Sequence, residues 1–219
     1  MARLKLFDPE TAEGAAGYYL KTAGSQRGRV NNHARLYAHS QFLARLGSLF
    51  SLALHREGLG SVLSFKIKEM AIIKTSKLNG CSYCYAHNTA LGEAAGITAE
   101  QVIAIDGDDY MTSPHLSPRE RAAVLWADHV TKNTAKDRDD VFEDVAKQLD
   151  ERELFELTLV TASFNSTNRV HDSLRLELEP QDNIDKIKST ARGNPDLLKA
   201  QLQSILENWP DAFPEPNPD

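Results

Sequence analysis

The run from Glu69 to Asn88 reads EMAIIKTSKLNGCSYCYAHN. It holds both cysteines of the 219-residue chain, as Cys81-Ser-Tyr-Cys84, with Glu69 upstream and His87 just behind. Two thiols at this spacing lie one helical turn apart and can close a disulfide. A peroxide that oxidises one thiol leaves a sulfenic acid, and the second thiol then condenses with it. Asn79-Gly80 breaks the preceding helix, because both residues tolerate the left-handed conformation. That break places Cys81 at or near a helix start, where free N–H groups and the dipole favour a thiolate. If the two helices fold back around the break, the Glu69 carboxylate can face the thiols. On the helical wheel Asn88 lies about 40° from Cys84, and His87 about 60° away on the other side. A neutral histidine can relay a proton near pH 7, whereas an asparagine can only orient.

Plainer readings compete for each of these residues. The cysteines could be small buried hydrophobes, but the chain's only two falling at this spacing after a helix break favours a redox pair. As zinc ligands, Cys81, Cys84 and His87 offer three donors where a structural site needs four. Haem attachment is excluded because Tyr85 follows Cys84. Glu69 sits near Lys66 and Lys68, as a solvated charge would, yet Met70, Ile72 and Ile73 around it indicate burial. For His87 a packing role and a relay role weigh equally. Tyr83 and Tyr85 are expected to shape a pocket. The polar group Asn165, Asn168, Arg169, His171 and Asp172 reads first as a capped helix end. Its second reading has Arg169 or His171 lining a pocket or a subunit interface. His33, His39, His55, His115 and His129 show no ligand spacing and read as ordinary surface or core residues.

Helices must position the dithiol. Start signals recur at Asp8-Pro9, Thr98 with Gln101, Ser117-Pro118 with Glu120, and Asp150 with Glu153. Apolar residues then follow at three and four spacing, as in Leu154, Leu157, Val160 and Phe164. Helices are expected over 38–54, 64–78 and 81–95, a polar loop over 106–114, and one or two closing helices over 180–207. The tail from 209 to 219 holds Pro210, Pro214, Pro216 and Pro218 and is expected to carry little regular structure. No alternating strand pattern stands out, so the fold class is all-α. The charge run at 136–144 reads as a solvated face.

Bulk properties narrow the function further. A net charge of −6 argues against nucleic acid as the main partner. No segment approaches the apolar length of a membrane span, and MARLKLFDPE lacks the apolar stretch of a signal peptide. A cytoplasmic protein is expected, and in a reducing compartment the lone cysteine pair is unlikely to be a structural disulfide.

The Glu69–His87 run resembles the alkylhydroperoxidase D-like and carboxymuconolactone decarboxylase superfamily, whose motif is a Glu, eleven residues, CxxC and a nearby His. The stretch Leu91-Gly-Glu-Ala-Ala-Gly96 matches the small-residue helix that ends the motif. Leu116–Ala123 and Phe164–Asp172 resemble later segments of the peroxidase-related members. The resemblance implies an antiparallel helical bundle over 35–180, with the CxxC starting a central helix. Residues 1–34 would be an N-terminal helical extension, and 181–219 closing helices with a Pro-rich acidic tail. It further implies a thiol-dependent alkyl hydroperoxide reductase with Cys84 attacking the peroxide, Cys81 resolving and Glu69 as base. No metal, haem or flavin would be needed. A lipoylated or thioredoxin-like dithiol would supply electrons, and the chain would assemble into trimers or hexamers. One departure is evident: the family's histidine position is Asn88 here, and the histidine stands at 87. A decarboxylase or lactone-processing enzyme, or a thiol–disulfide sensor without peroxide turnover, are the alternative readings.

Overall fold

The computed structural model describes residues 2–213 and 215. Among them eleven α-helices follow in order: α1 (Gly14–Arg27), α2 (Asn32–Tyr37), α3 (Gln41–His55), α4 (Phe65–Asn79), α5 (Ser82–Ala94), α6 (Ala99–Asp106), α7 (Pro118–Thr131), α8 (Asp139–Ala146), α9 (Glu151–Ser173), α10 (Gln181–Asp185) and α11 (Pro195–Glu207). No strand is present among the described residues, and the fold is all-α. None of these helices is long and apolar enough to cross a membrane.

Helix α4 is the axis. Phe65 and every residue from Ile67 to Ser76 are buried, so over this stretch it shows no solvated face. Helices α5, α7 and α9 pack around it. Its apolar residues Met70, Ala71, Ile72 and Ile73 join Ala123, Val124, Ala127, Leu157 and Val160 in the main core. Helix α4 also buries three charged residues, and a buried charge is tolerated only with partners. The Lys68 ammonium donates to the Leu54 carbonyl and to Ser61 Oγ, both at 3.1 Å. Lys74 donates to the carbonyls of Ile105 and Gly107 at 3.1 Å and lies over the Tyr110 ring. Glu69 turns toward α3, as described below.

The link from α4 to α5 is two residues long. Gly80 adopts φ 74°, a left-handed conformation that ends α4. The Cys81 N–H then donates back to the Ser76 carbonyl at 3.0 Å, and Cys81 becomes the N-cap of α5. Gly92 lets α5 lie close on α4, since a Cβ there would stand 3.1 Å from Ile73 Cδ1. The C-terminal end of α4 is tied to α9 by amides: Asn79 Nδ2 donates to Asn165 Oδ1 and to Asn168 Oδ1, both at 2.9 Å. Glu156 on α9 gathers the 61–63 loop, accepting from Ser61 Oγ at 2.5 Å and from the Val62 and Leu63 N–H groups at 2.9 and 2.8 Å.

The terminal segments pack on the bundle. Ile184 of α10 and Ile187 of the following 3₁₀ turn lie against Phe65, Ala90 and Leu91. Helix α11 lies against α3, where Gln201 donates to Ser48 Oγ at 2.5 Å. Capping boxes start α6, α7 and α9 at Thr98, Ser117 and Asp150. The Asp8-Pro9 signal instead makes only a turn, with Ala12 N–H donating to the Asp8 carbonyl at 2.8 Å, and α1 begins at Gly14. The helix expected over 38–54 opens with a 3₁₀ turn at Ala38–Ser40, and α3 itself runs from Gln41 to His55. In the tail, Pro214, Pro216 and Pro218 lie outside the described residues. Gly80→Ala forces a Cβ into the left-handed region and is expected to lower stability by about 1–2 kcal/mol, measured by urea unfolding.

Candidate functional site

The two cysteines are free thiols with Sγ atoms 2.8 Å apart, well beyond a covalent bond. Cys81 is completely buried. Its sulfur caps α5 by accepting the Cys84 N–H at 3.4 Å. Cys84 lies one turn on and lines a cavity of about 270 Å³ between α1, α2, α3, α5 and α9. The Cys84 thiol is pushed above its ordinary range, first by the hydrogen bond it shares with Cys81 and then by burial. Two thiolates cannot coexist at this distance, so burial and pairing outweigh the dipole that the sequence suggested would favour ionisation of Cys84.

A base stands beside it. His171 Nδ1, from the last turn of α9, lies 3.1 Å from Cys84 Sγ. Its Nε2 is 2.9 Å from Nδ1 of His33 on α2, which also lines the cavity. Burial first, then the charge of His87, lowers the His171 pKa to about 4. Burial and the charge of Arg27 hold His33 well below its usual value. Both rings are therefore neutral near pH 7. In that state His171 can take the Cys84 proton at Nδ1 and pass one from Nε2 to His33.

A second pair faces the same cavity. His55 Nε2 donates to Glu69 Oε1 at 2.5 Å, and His55 Nδ1 accepts from Arg56 Nη1 at 3.2 Å. Glu69 is fully buried, and its Oε2 has no partner among the described residues. Burial pushes the Glu69 carboxyl up to about 8 against the pull of Arg56 and Lys68. Arg56 itself is lowered to about 10 by burial, with Glu69 opposing. No hydrogen bond joins Glu69 to either sulfur. His55 stands at the cavity wall in its place.

His87 is turned to the other side. Its Nδ1 meets the Tyr83 carbonyl at 2.8 Å, and its Nε2 lies 3.0 Å from Glu179 Oε2. Glu179 also accepts from the Tyr83 hydroxyl at 2.9 Å and from the Asn32 N–H. Burial works to raise the Glu179 carboxyl, but the approach of His87 foremost, with the Asn32 N–H, holds it at about 2. Its carboxylate thereby ties α5, the start of α2 and the segment after α9 together around the thiols. Asn88 donates its amide to the Cys84 carbonyl at 2.7 Å and lines the cavity. Tyr83 lines the cavity too, whereas the Tyr85 hydroxyl donates to Asp106 at 2.7 Å, outside it. Arg169 donates to its own helix at the Asn165 carbonyl, 2.8 Å away.

The third donor near the sulfurs is thus His171 and not His87. The ligand atoms of Cys81, Cys84 and His171 lie within 4.8 Å of one another, a Cys₂His set with the chemistry to hold a zinc-like ion. Sequence reasoning passed over His33, His55 and Glu179, and placed His171 first in a capped helix end. Their spacing relative to the CxxC carries no periodic signal, since each arrives from a different helix or connecting segment.

Fold and site together define an all-helical protein with a buried dithiol opening on a cavity. Residues 45–129 match the model of the carboxymuconolactone decarboxylase family. The uncharacterized protein YdfG of Bacillus subtilis (strain 168) is 27% identical over 104 residues, 47% of this chain and 69% of the relative. The alkylhydroperoxidase AhpD core of a peroxidase-related protein from Ralstonia eutropha JMP134 superposes with a TM-score of 0.68 at 19% identity, covering 87% of this chain and 98% of its own. A peroxidase-related protein from Silicibacter sp. TM1040 gives a TM-score of 0.66 at 21% identity, covering 82% and 93%. The debrominase Bmp8, in complex with 2,3,4-tribromopyrrole, gives 0.65 at 16% identity, covering 94% and 100%. The fold is AhpD-like, and residues 45–129 are similar to the carboxymuconolactone decarboxylase family.

His171→Gln removes the base and is expected to slow iodoacetamide alkylation of Cys84 at pH 7 by about 100-fold. The rate is read by mass spectrometry in a Cys81→Ser background. In wild type the rate falls as pH drops through about 4, where His171 takes its own proton. A second expectation concerns Glu69. Its folded pKa of about 8 lies above the ordinary carboxyl value of 4.5, so the stability this proton contributes is full below 4.5 and lost as pH rises through 8. Glu69→Gln should therefore gain stability relative to wild type between pH 5 and pH 9, followed by denaturant titration at each pH.

Proposed function

We propose that the protein is a thiol-dependent hydroperoxide reductase. The observation that carries this reading is the placement of Cys84: its sulfur opens on the cavity, with a neutral base at 3.1 Å and a second thiol 2.8 Å behind it. His171 takes the Cys84 proton, and the thiolate attacks the terminal peroxide oxygen. The O–O bond breaks, Cys84 becomes a sulfenic acid, and the alkoxide leaves as alcohol with the proton held by the histidines. The Cys81 thiol then attacks the Cys84 sulfur, forming the disulfide and releasing water. An external dithiol of the lipoyl or thioredoxin-like kind reduces the disulfide by exchange. The net reaction consumes a hydroperoxide and a dithiol, and yields alcohol, water and a disulfide. Glu69 acts through His55, as a proton store on the opposite wall. We place the reaction in the cytoplasm. Leu43, Leu46 and Phe50, exposed on α3 beside the cavity, support assembly with further copies, as a trimer or hexamer.

The aromatic lining favours one second reading. Tyr37, Phe50, Tyr83 and Phe164 surround more space than a simple peroxide needs. The same dithiol could reduce a halogenated aromatic ring, replacing carbon–bromine by carbon–hydrogen with release of bromide and closure of the disulfide. Peroxide consumption with a lipoyl-type dithiol donor separates the readings. Cys84→Ser is expected to lose at least 100-fold in turnover. Cys81→Ser is expected to accumulate a Cys84 sulfenate, trapped with dimedone. Peroxide turnover absent with every dithiol donor, together with bromide release from a brominated pyrrole, would favour the second reading.

A further inference from the structure

The cavity in front of Cys84 has a cationic wall that the thiol chemistry leaves unused. Arg27, the last residue of α1, lines the cavity and makes no hydrogen bond or ion pair among the described residues. Tyr19, two turns earlier on α1, lines it as well. It is only 3% exposed, yet its hydroxyl has no hydrogen-bond partner among the described residues. Tyr37 of α2, half-buried, adds a second hydroxyl without a hydrogen-bond partner among the described residues. The guanidinium and both hydroxyls thus keep their hydrogen-bonding capacity for whatever enters the cavity.

The neighbouring acids do not answer Arg27. Glu69 stands behind His55, with burial keeping its proton on up to about pH 8. Glu179 is engaged by His87, Tyr83 and the Asn32 N–H. Arg56 also lines the cavity, and His33, His55 and His171 are held neutral. The protein carries a net charge of −6, so this pocket runs against the sign of the whole chain. A positive group inside low-dielectric walls attracts and orients an anion. A guanidinium fork matches a carboxylate in bidentate geometry, and phenol hydroxyls can donate to its remaining lone pairs.

We propose that Arg27, Tyr19 and Tyr37 form an anion subsite that seats the carboxylate of a carboxylate-bearing organic hydroperoxide, leaving the peroxide end to reach Cys84. The peroxide end rests on the peroxidase reading, whereas the carboxylate end stands on binding alone. A cavity of about 270 Å³ suits a small organic acid.

The test uses hexanoate as probe and 1-hexanol as its uncharged counterpart, titrated calorimetrically into the reduced full-length protein. Hexanoate is expected to bind at least tenfold more tightly than hexanol. Arg27→Gln is expected to weaken hexanoate tenfold or more, and Tyr19→Phe several-fold, with Arg27→Lys recovering part of the loss. Equal affinity for the two probes, or hexanoate binding indifferent to Arg27→Gln, overturns the subsite. A turnover arm compares a carboxylate-bearing alkyl hydroperoxide with its methyl ester. The ratio of their kcat/KM values should fall at least tenfold in Arg27→Gln, and an unchanged ratio overturns the substrate assignment. If neither peroxide is consumed while hexanoate still binds through Arg27, the peroxidase reading fails and the carboxylate subsite stands.

Discussion

A buried thiol pair held beside a histidine base is the constraint around which this molecule is arranged. A thiolate in a low-dielectric interior is costly, and a second one 2.8 Å away costs far more. Cys84 therefore holds its proton until a neighbouring base can accept it. His171 can do so because its own burial keeps it neutral. The sulfur that opens on the cavity is also the one beside the base, while the fully buried sulfur waits behind it. Access and a neighbouring base thus coincide at Cys84, and Cys81 stands behind it.

Holding that base in place requires the rest of the bundle. His171 sits at the end of a 23-residue helix, so a small tilt of α9 would carry it away from the sulfur. The amides of Asn79, Asn165 and Asn168 fix α9 to the end of α4, one short link before Cys81. Glu179 then draws the chain after α9 across Tyr83 and His87, so that the helices bearing the thiols and the base are clamped on two sides. The terminal segments belong to this enclosure. Helix α1 supplies Arg27 and Tyr19 to the cavity wall, and α2 supplies His33 and Tyr37. Without them Cys84 would face a more open cleft, in which water would screen every charge described.

Charge within α4 shows how one helix serves both the core and the site. Lys68 and Lys74 are buried because carbonyls at loop and helix ends accept from them. Glu69, in the same helix, lacks a full set of partners and keeps one oxygen unpaired. The lysines stitch connections to the core, and the glutamate keeps a proton within reach of His55. This difference follows from what surrounds each side chain, for all three are charged residues in an otherwise apolar helix.

Local signals in the amino-acid sequence were enough for the helices and for the dithiol. Thr98, Ser117 and Asp150 mark helix starts because a cap acts within one turn of its own residue. Gly80 marks the break for the same reason, and with it the position of Cys81. Asp8-Pro9 misled because a cap without an apolar face to bury yields only a turn. The partners of the thiols were beyond such signals. His171 lies 87 residues after Cys84, and His33 lies 138 residues before His171. Only the packing of α2, α5 and α9 brings them within hydrogen-bond distance. The reversal in charge preference at Cys84 also belongs to tertiary structure. A helix start argues for a thiolate wherever water is near, and burial beside a second sulfur argues the other way once it is gone.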